Sequence, residues 1–348
     1  MTLVGILGGG QLGRMLALAG YPLGLRFRFF DPSPESPVRD LAELITGSYD
    51  DRDALDRFVQ GVDLVTYEFE NVPADAARYF AEHVAVYPPV GALDVAQDRL
   101  HEKRFFNSIG IPTPRYVEVD DRLSLDAAVA DVGLPAVLKT RREGYDGKGQ
   151  VVLRQMDDFD AAWDALGGKP LILEAFVPFD LELSVIAARG QDGSVVNWPP
   201  VEIVQRGGVL HEAYAPARGV RQELGERARG HVGRALAELD YVGVLTIEFF
   251  VQGDQVLGNE MAPRVHNSGH WTIEGAVTSQ FENHLRAILG LPLGATDLRA
   301  HVGLLNLLGE APDPATVLAL PDAHLHLYGK TPRPGRKLGH ITVLAEDA

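Results

Sequence analysis

An α/β fold, opened by a parallel sheet and completed by antiparallel hairpins, is what this sequence of 348 residues predicts. Three observations point there. Over residues 1–98, short apolar runs alternate with helical segments. Such β-α-β units build parallel sheets whose ligands lie at the carboxyl ends of the strands. A second alternating unit follows a proline-rich break at residues 111–114. Beyond residue 182, Gln191-Asp192-Gly193 and Gly253-Asp254 each divide two apolar runs, the mark of hairpins.

Taken in order, a strand at residues 4–7 passes through Gly8-Gly9-Gly10-Gln11-Leu12-Gly13 into a helix at 11–19. Strands follow at 26–30, closed by Asp31-Pro32, at 63–67, and at 84–87, stopped by Pro88-Pro89. A helix over 94–108 puts Arg99 and Lys103 on one face, four residues apart. The second unit reads as strand 115–119, helix 125–132, strand 136–139, a glycine loop at 144–149, strand 151–153, helix 157–166 and strand 171–174. Helices near 221–239 and 278–289 separate the hairpins, and the tail reads as strands at 301–308, 324–328 and 340–344.

Composition narrows the function. Hydrophobic residues make up 46% and charged residues 23%, the balance of a soluble globular chain. Thirty-two Lys and Arg against 48 Asp and Glu leave a formal charge of −16, which disfavours nucleic acid and anionic membranes as partners. The absence of cysteine removes disulfides, thiolate metal sites and cysteine nucleophiles. No run reaches the roughly 18 apolar residues of a membrane span, and the chain opens on a strand pattern rather than a signal segment. A cytoplasmic enzyme is expected.

The run Gly8 to Gly13 fits a dinucleotide fingerprint, with Asp31 closing the next strand. By itself it suggests an NAD-dependent oxidoreductase. More generally, glycines and a helix N-terminus suit any phosphate. Lys139 ends a strand before the loop Arg141, Arg142, Glu143, Gly144, Tyr145, Asp146, Gly147, Lys148, Gly149. A flexible loop flanked by cations can fold over a polyphosphate, where each charge pair is worth about 4 kcal/mol at close range. Glu174 ends a strand whose backbone could meet an adenine ring, its carboxylate near the sugar; Glu182 could take the ribose hydroxyls.

Glu248 and Glu260 flank the Gly253-Asp254 turn. A two-residue loop would set Glu248 opposite Asn259 and turn Glu260 to the other face. A three-residue loop, or a bulge to the same effect, sets the two carboxylates together, where they require a proton or cation between them. Mg²⁺ suits that arrangement. Arg264, His266, Asn267 and His270 follow in a run that is neither a helix face nor a strand face, as in a reaction centre; zinc is discounted because the histidines lack a surrounding helical pattern and a nearby ligand carboxylate. Lys330, Arg333, Arg336 and Lys337 surround proline-fixed turns that could aim at a substrate phosphate or form a solvated basic turn.

Over most of its length the chain resembles the ATP-grasp superfamily, and within it the ligases that carboxylate an aminoimidazole ribonucleotide. The resemblance rests on Gly8 to Met15, Tyr67-Glu68-Phe69-Glu70, Gly144 to Gln150, Ala262 to Trp271, and Arg333-Pro334-Gly335-Arg336-Lys337-Leu338-Gly339-His340. It implies an ATP-grasp fold with an N-terminal parallel-sheet preATP-grasp domain, a small lid domain and a larger C-terminal domain. The expected boundaries are 1–98, then 99–290 with the lid at about 115–177, then a β-rich segment at 291–348 packing on the core.

By the same resemblance, ATP contacts fall on Arg99, Lys139, Gly144, Tyr145, Asp146, Gly147, Lys148, Gly149, Gln150, Glu174, Ala175, Phe176, Val177, Glu182, Gln205, Asn259 and Glu260. Glu248 and Glu260 would hold Mg²⁺ or Mn²⁺. Bicarbonate and carboxyphosphate would sit near Tyr145, Asp146, Lys148, Arg264, His266 and Asn267, with His266 or Asp146 moving protons. The ribonucleotide would use Gln11, Glu70, Tyr145, Arg264, His266, Lys330, Arg336 and Lys337. Gln205 departs from the family, which has histidine there. A homodimer acting on small molecules, without nucleic acid or membrane, is implied. Competing readings are the NAD enzyme, another ATP-grasp ligase and a nucleotide-binding module without turnover.

Overall fold

Four apolar side chains and Gly5, with no polar residue among them, make β1 (Leu3–Leu7) buried on both faces, as a parallel strand covered by helices requires. The computed structural model describes residues 1–144 and 147–346. After β1 come α1 (Gln11–Gly20), β2 (Arg26–Asp31), β3 (Glu43–Thr46), α2 (Arg52–Val59), β4 (Leu64–Tyr67), α3 (Ala74–Ala81) and β5 (Ala85–Val86). Their strands form a parallel sheet in the order β3-β2-β1-β4-β5. Because β1 lies between β2 and β4, the loops after β1 and β4 open side by side at a topological switch point. The edge strand β3 has no fully buried residue and so no apolar pattern to read. The strand expected at 84–87 is shortened to two residues, since Pro88 and Pro89 cannot extend a ladder.

The helix expected over 94–108 is two helices, α4 (Val90–Ala96) and α5 (Arg99–Ser108). Asp98 breaks it by acting as N-cap to α5, accepting from Leu100 N at 3.0 Å. Gln97 turns outward from the break and donates to the carbonyls of Glu70 and Val72. The chain then passes the 111–114 break, where Ile111 is fully buried and Gly258 N donates to Pro112 O at 2.7 Å. That segment is therefore a packed strap. Beyond it, β6 (Tyr116–Val119), α6 (Arg122–Val132), β7 (Ala136–Thr140), β8 (Gln150–Leu153), α7 (Asp158–Leu166) and β9 (Leu171–Ala175) form a separate antiparallel sheet in the order β6-β9-β7-β8. It has its own core around Leu138, Phe159 and Leu173.

The remaining elements are β10 (Leu181–Arg189), β11 (Val195–Asn197), β12 (Val201–Arg206), β13 (Val209–Ala215), α8 (Gln222–Glu238), β14 (Gly243–Gln252), β15 (Gln255–Ala262), α9 (Thr272–Gly275), α10 (Gln280–Ile288), β16 (His301–Leu308), α11 (Pro314–Leu318), β17 (Ala323–Leu327) and β18 (Lys337–Ala345). Among the described residues their strands join one sheet in the order β15-β14-β10-β12-β13-β16-β18-β17, with β11 on β10. The β12–β13 hairpin, turned at Gly207-Gly208 with both φ positive, adds two strands to those read from the sequence. Through β13 and β16 the C-terminal strands continue this sheet edge-on. One core, including Phe27, Phe29, Trp271, Phe281 and Leu285, welds the parallel sheet to it. Among the described residues no helix is long and apolar enough to cross a membrane.

Candidate active site

The glycine turn after β1 is already filled from within. Gly9 N donates to Asp31 Oδ2 at 2.7 Å, while Gly10 N and Gly13 N donate to the two oxygens of Glu68 at 2.5 and 2.7 Å. Glu68, at the end of β4, is buried. Burial pushes its carboxyl above the ordinary range against the pull of Gly13, Gly10, Lys330 and Arg264. The positive end of α1 is thus met by an internal carboxylate. A β-carbon on Gly10 would lie 2.4 Å from Glu68 Oε1. This corrects the phosphate-cradle reading of the turn. The NAD reading also loses its ribose carboxylate, because Asp31 is bonded to Gly9.

The β14–β15 turn has two residues, with Gln252 opposite Gln255. The three-residue loop is absent. Instead a bulge at Asn259 shifts the register between Phe249↔Gly258 and Glu248↔Glu260, and the two carboxylates face each other. Glu182 pairs with Phe250 while Ser184 pairs with Glu248, so Glu182 stands on the same face, diagonal to Glu248. Burial, then Glu260 and Glu182, drive the Glu248 carboxyl well above its usual range. Burial and Glu260 push Glu182 up to about 7. Gln205 Nε2 donates to Glu248 Oε2 at 3.2 Å, and Arg99 Nη1 lies 3.2 Å from Glu260 Oε2. Among the described residues no group of three or more His, Asp or Glu forms a self-sufficient metal cage. The facing pair suits Mg²⁺, which keeps waters and is completed by substrate phosphates.

Behind the pair lies a buried charge network. Glu174, expected near a sugar, is 2% exposed, and its Oε2 lies 3.1 Å from Lys139 Nζ and 3.4 Å from Lys103 Nζ. Burial would raise this carboxyl, but Lys103, Lys139 and Arg99 hold it at about 2. Its Oε1 is buried without a partner among the described residues. Ala175 N and Phe176 N are bonded to the carbonyls of Arg115 and Pro135, and Val177 beside them is half-buried.

Of the glycine loop, Gly144 O accepts from Arg99 Nη2 at 3.1 Å, and Gly149 O accepts from Thr140 N as Gln150 opens β8. Gly147 rests on the β12–β13 turn, where a β-carbon would lie 2.3 Å from Gly207 O. Tyr145 and Asp146 lie outside the described residues. Two of the flanking cations are already paired within the protein: Arg141 grips Asp98 at 2.8 and 3.0 Å and Glu118 at 2.5 Å, and Arg142 reaches Asp98 at 3.3 Å. They anchor the small sheet to the cap of α5.

A cleft of about 770 Å³ opens at the switch point, lined by Gln11, Glu70, Arg99, Gly144, Lys148, Glu260, Arg264, His266, Asn267, Lys330, Arg336 and Lys337. Lys139, Glu174, Ala175, Phe176, Val177, Glu182, Gln205, Glu248 and Asn259 do not line it. Several of them connect to it through Arg99, Lys103 and Glu260. The Arg264 guanidinium is paired with the Glu70 carboxylate and donates to Val265 O at 2.9 Å. Burial would raise Glu70, but the charge and hydrogen bond of Arg264 hold it below its ordinary range.

His266 Nδ1 faces Ser268 Oγ at 2.8 Å and accepts from Ser268 N at 3.3 Å, leaving Nε2 3.8 Å from Glu248 Oε1. Burial, then Arg264 and Lys337, keep the ring neutral, well below its usual pKa. Gln280 clamps the His266 backbone with bonds of 2.9 and 2.6 Å. His270 is a core residue, stacked between Phe281 and His340 and held at about 3 by burial first. Lys330 donates to Gln11, tying the tail to the start of α1.

Residues 104–281 match the ATP-grasp domain family, 1–97 the ribonucleotide synthetase preATP-grasp domain and 303–348 the phosphoribosylaminoimidazole carboxylase C-terminal domain. The N5-carboxyaminoimidazole ribonucleotide synthase of Pseudomonas aeruginosa is 51% identical over 344 residues, 99% of this chain and 95% of that one. The chain belongs to the N5-carboxyaminoimidazole ribonucleotide synthase family. A crystal structure of the synthetase from Thermus thermophilus superposes with a TM-score of 0.95 at 56% identity, covering 99% of this chain and 94% of that one. That of the Aspergillus clavatus enzyme, in complex with ADP and 5-aminoimidazole ribonucleotide, does so at 0.92 and 35%, covering 99% and 94%. The fold is the ATP-grasp fold.

In this member of the synthase family, several residues at the site carry no motif of their own. Glu68 is legible only as part of Tyr67-Glu68-Phe69-Glu70. Gln280 and Ser268 act on His266 by packing. Arg333 lines the cleft with the other tail cations. Glu102 and Lys103 had one signal, their spacing from Arg99 on a single helix face.

Proposed function

We infer that this chain is an ATP-dependent carbon–nitrogen ligase that carboxylates 5-aminoimidazole ribonucleotide with bicarbonate, releasing ADP and phosphate, in purine (IMP) biosynthesis. The observation that carries this is one cleft lined by Glu260, which faces Glu248 across the bulge, by the Arg264–Glu70 pair and by the basic tail, in a chain of this family. In this reading ATP lies between the small sheet and the central sheet. Arg99, Lys139, the loop at 144–150 and the hinge at 174–177 hold it, with Glu182 on the ribose and Gln205 and Asn259 beside the phosphates. Glu248 and Glu260 hold Mg²⁺ or Mn²⁺; the raised Glu248 carboxyl marks a charge excess that a divalent cation fits. Bound there, the ion neutralises charge on the transferring phosphoryl group.

Bicarbonate is a poor electrophile, so it is activated first. One of its oxygens attacks the γ-phosphorus, ADP departs, and carboxyphosphate forms. The exocyclic amine then attacks the carboxyl carbon, directly or after release of CO₂; the bond to phosphate breaks and the amine gives up one proton. Arg264, fixed by Glu70, offers positive charge beside the carboxyphosphate site. His266, neutral with Nδ1 accepting from Ser268, presents Nε2–H as a donor to a carboxyl oxygen. Tyr145, Asp146, Lys148 and Asn267 complete the bicarbonate site, and closure of the loop excludes water from a labile intermediate. Gln11, Glu70, Lys330, Arg336 and Lys337 receive the ribonucleotide. The enzyme acts as a cytoplasmic homodimer on small molecules. Purified protein should release ADP rapidly only when bicarbonate and the ribonucleotide are both present. Turnover independent of the ribonucleotide, or none with it, would overturn the reading.

Lys330 gives this assay a pH signature. Burial lowers its ammonium to about 8, with Glu68 opposing and Arg336, Lys337 and Arg333 reinforcing. It is cationic below that pH and neutral above, so its attraction for an anionic substrate is lost as pH rises. The KM for the ribonucleotide should climb above about pH 8, and Lys330→Met should raise KM at neutral pH and flatten that limb. An unchanged profile in the variant would remove Lys330 from the substrate site.

A further inference from the structure

β15 is the edge strand of the central sheet, so only β14 pairs with it and its outer N–H and C=O groups need other partners. The bulge adds to that need by taking Asn259 out of register. One face of α5 supplies what is missing. Arg99, Glu102 and Lys103 stand at i, i+3 and i+4 of the helix, and each holds a different residue of three in a row. Lys103 Nζ donates to Asn259 O at 2.6 Å, Arg99 Nη1 meets the Glu260 carboxylate at 3.2 Å, and Met261 N donates to Glu102 Oε1 at 2.6 Å. Glu102 and Lys103 are 2% and 1% exposed, so neither is a solvated helix charge.

We propose that Glu102 and Lys103 are positioning residues that hold the Asn259 bulge, and through it keep Glu260 facing Glu248. The physical ground is the period of a strand. Without the bulge, the two-residue turn pairs Glu248 with Asn259 and sends Glu260 to the opposite face. Nothing in the turn prevents that slip; the choice is made at the outer edge, where the Glu102 carboxyl accepts from the Met261 amide and the Lys103 ammonium donates to the Asn259 carbonyl. Two anchors on either side of residue 260 leave its side chain one direction. The inference rests on the proposed metal role of the Glu248–Glu260 pair.

The test measures Mn²⁺ binding by electron paramagnetic resonance in the presence of ADP, alongside the Mg²⁺ concentration for half-maximal ADP release and the KM for the ribonucleotide. Glu102→Ala should weaken Mn²⁺ binding about 10-fold or more, the usual scale for a residue that orients a ligand, and raise the Mg²⁺ requirement while the ribonucleotide KM stays put. Glu102→Gln, which keeps the acceptor for Met261 N, should restore the wild-type Mn²⁺ affinity. Folded Glu102→Ala protein with wild-type Mn²⁺ affinity would overturn the proposal. Should that variant fail to fold, Lys103→Met decides by the same measurement, weakened binding supporting the role and unchanged binding refuting it. Wild-type protein that neither binds Mn²⁺ with ADP nor releases ADP on adding the ribonucleotide would instead refute the proposed function, and the positioning role with it.

Discussion

Glu260→Ala should abolish metal-dependent ADP release, by about 10²–10³-fold or more, while leaving the fold intact. Glu260 is half-exposed and its carboxylate adds to the charge that raises the buried Glu248. A carboxyl whose folded pKa lies above its unfolded value makes the fold less stable as pH rises between the two. At neutral pH the wild-type chain without metal therefore bears a penalty that the variant relieves. The apo variant should melt no lower than wild type at pH 7 and lose the wild-type gain in melting temperature on adding Mg²⁺ and ADP. Arg99 keeps Gly144 O and the nearby charge of Glu174 when its Glu260 partner is gone. Full activity in this variant would remove the metal assignment.

Arg264→Met should cost both stability and catalysis. Arg264 and Glu70 are largely buried against each other, and removing one member of such a pair costs about 3–5 kcal/mol because the other charge is left uncompensated. Activity should fall by about 10²–10³-fold where the guanidinium stabilises developing charge. Arg264→Lys should not rescue either property, since an ammonium cannot reproduce the planar grip on Glu70 together with the bond to Val265 O. The pH dependence has a definite sign. Glu70 is held below its usual range, so it contributes stability above its unfolded pKa that is lost as pH falls through the lower folded value. Thermal melts of the two proteins from neutral pH downward should converge in acid; parallel curves would mean that this pair contributes no pH-dependent stability.

Much of this was legible because local spacing carries it. The alternation of apolar runs announces the parallel sheet, and the run from Arg264 to Trp271 is dense enough in polar side chains to mark a reaction centre without a fold. The Glu248–Glu260 pairing shows where legibility stops. Counting residues across the turn narrows the register to two possibilities, and the turn itself favours the wrong one. The flanking arginines of the glycine loop mislead for a related reason: Arg141 and Arg142 look like phosphate clamps until Asp98 and Glu118 are seen to hold them. The glycine fingerprint misleads because its amide donors are satisfied by Glu68, more than fifty positions away.

The sequence by itself determined the fold class, most of the buried strands and which short runs hold the chemistry. Each is a property of a single helix, strand or turn, set by side-chain period and local backbone preference. Only the tertiary structure decided which charges remain for a substrate and which are tied to one another. It sealed Glu174 under two lysines, closed the glycine turn with Glu68, and joined Lys330 to Gln11 across 319 positions. Those contacts arise from packing between elements distant along the chain, where no periodicity links the partners and burial alone selects them.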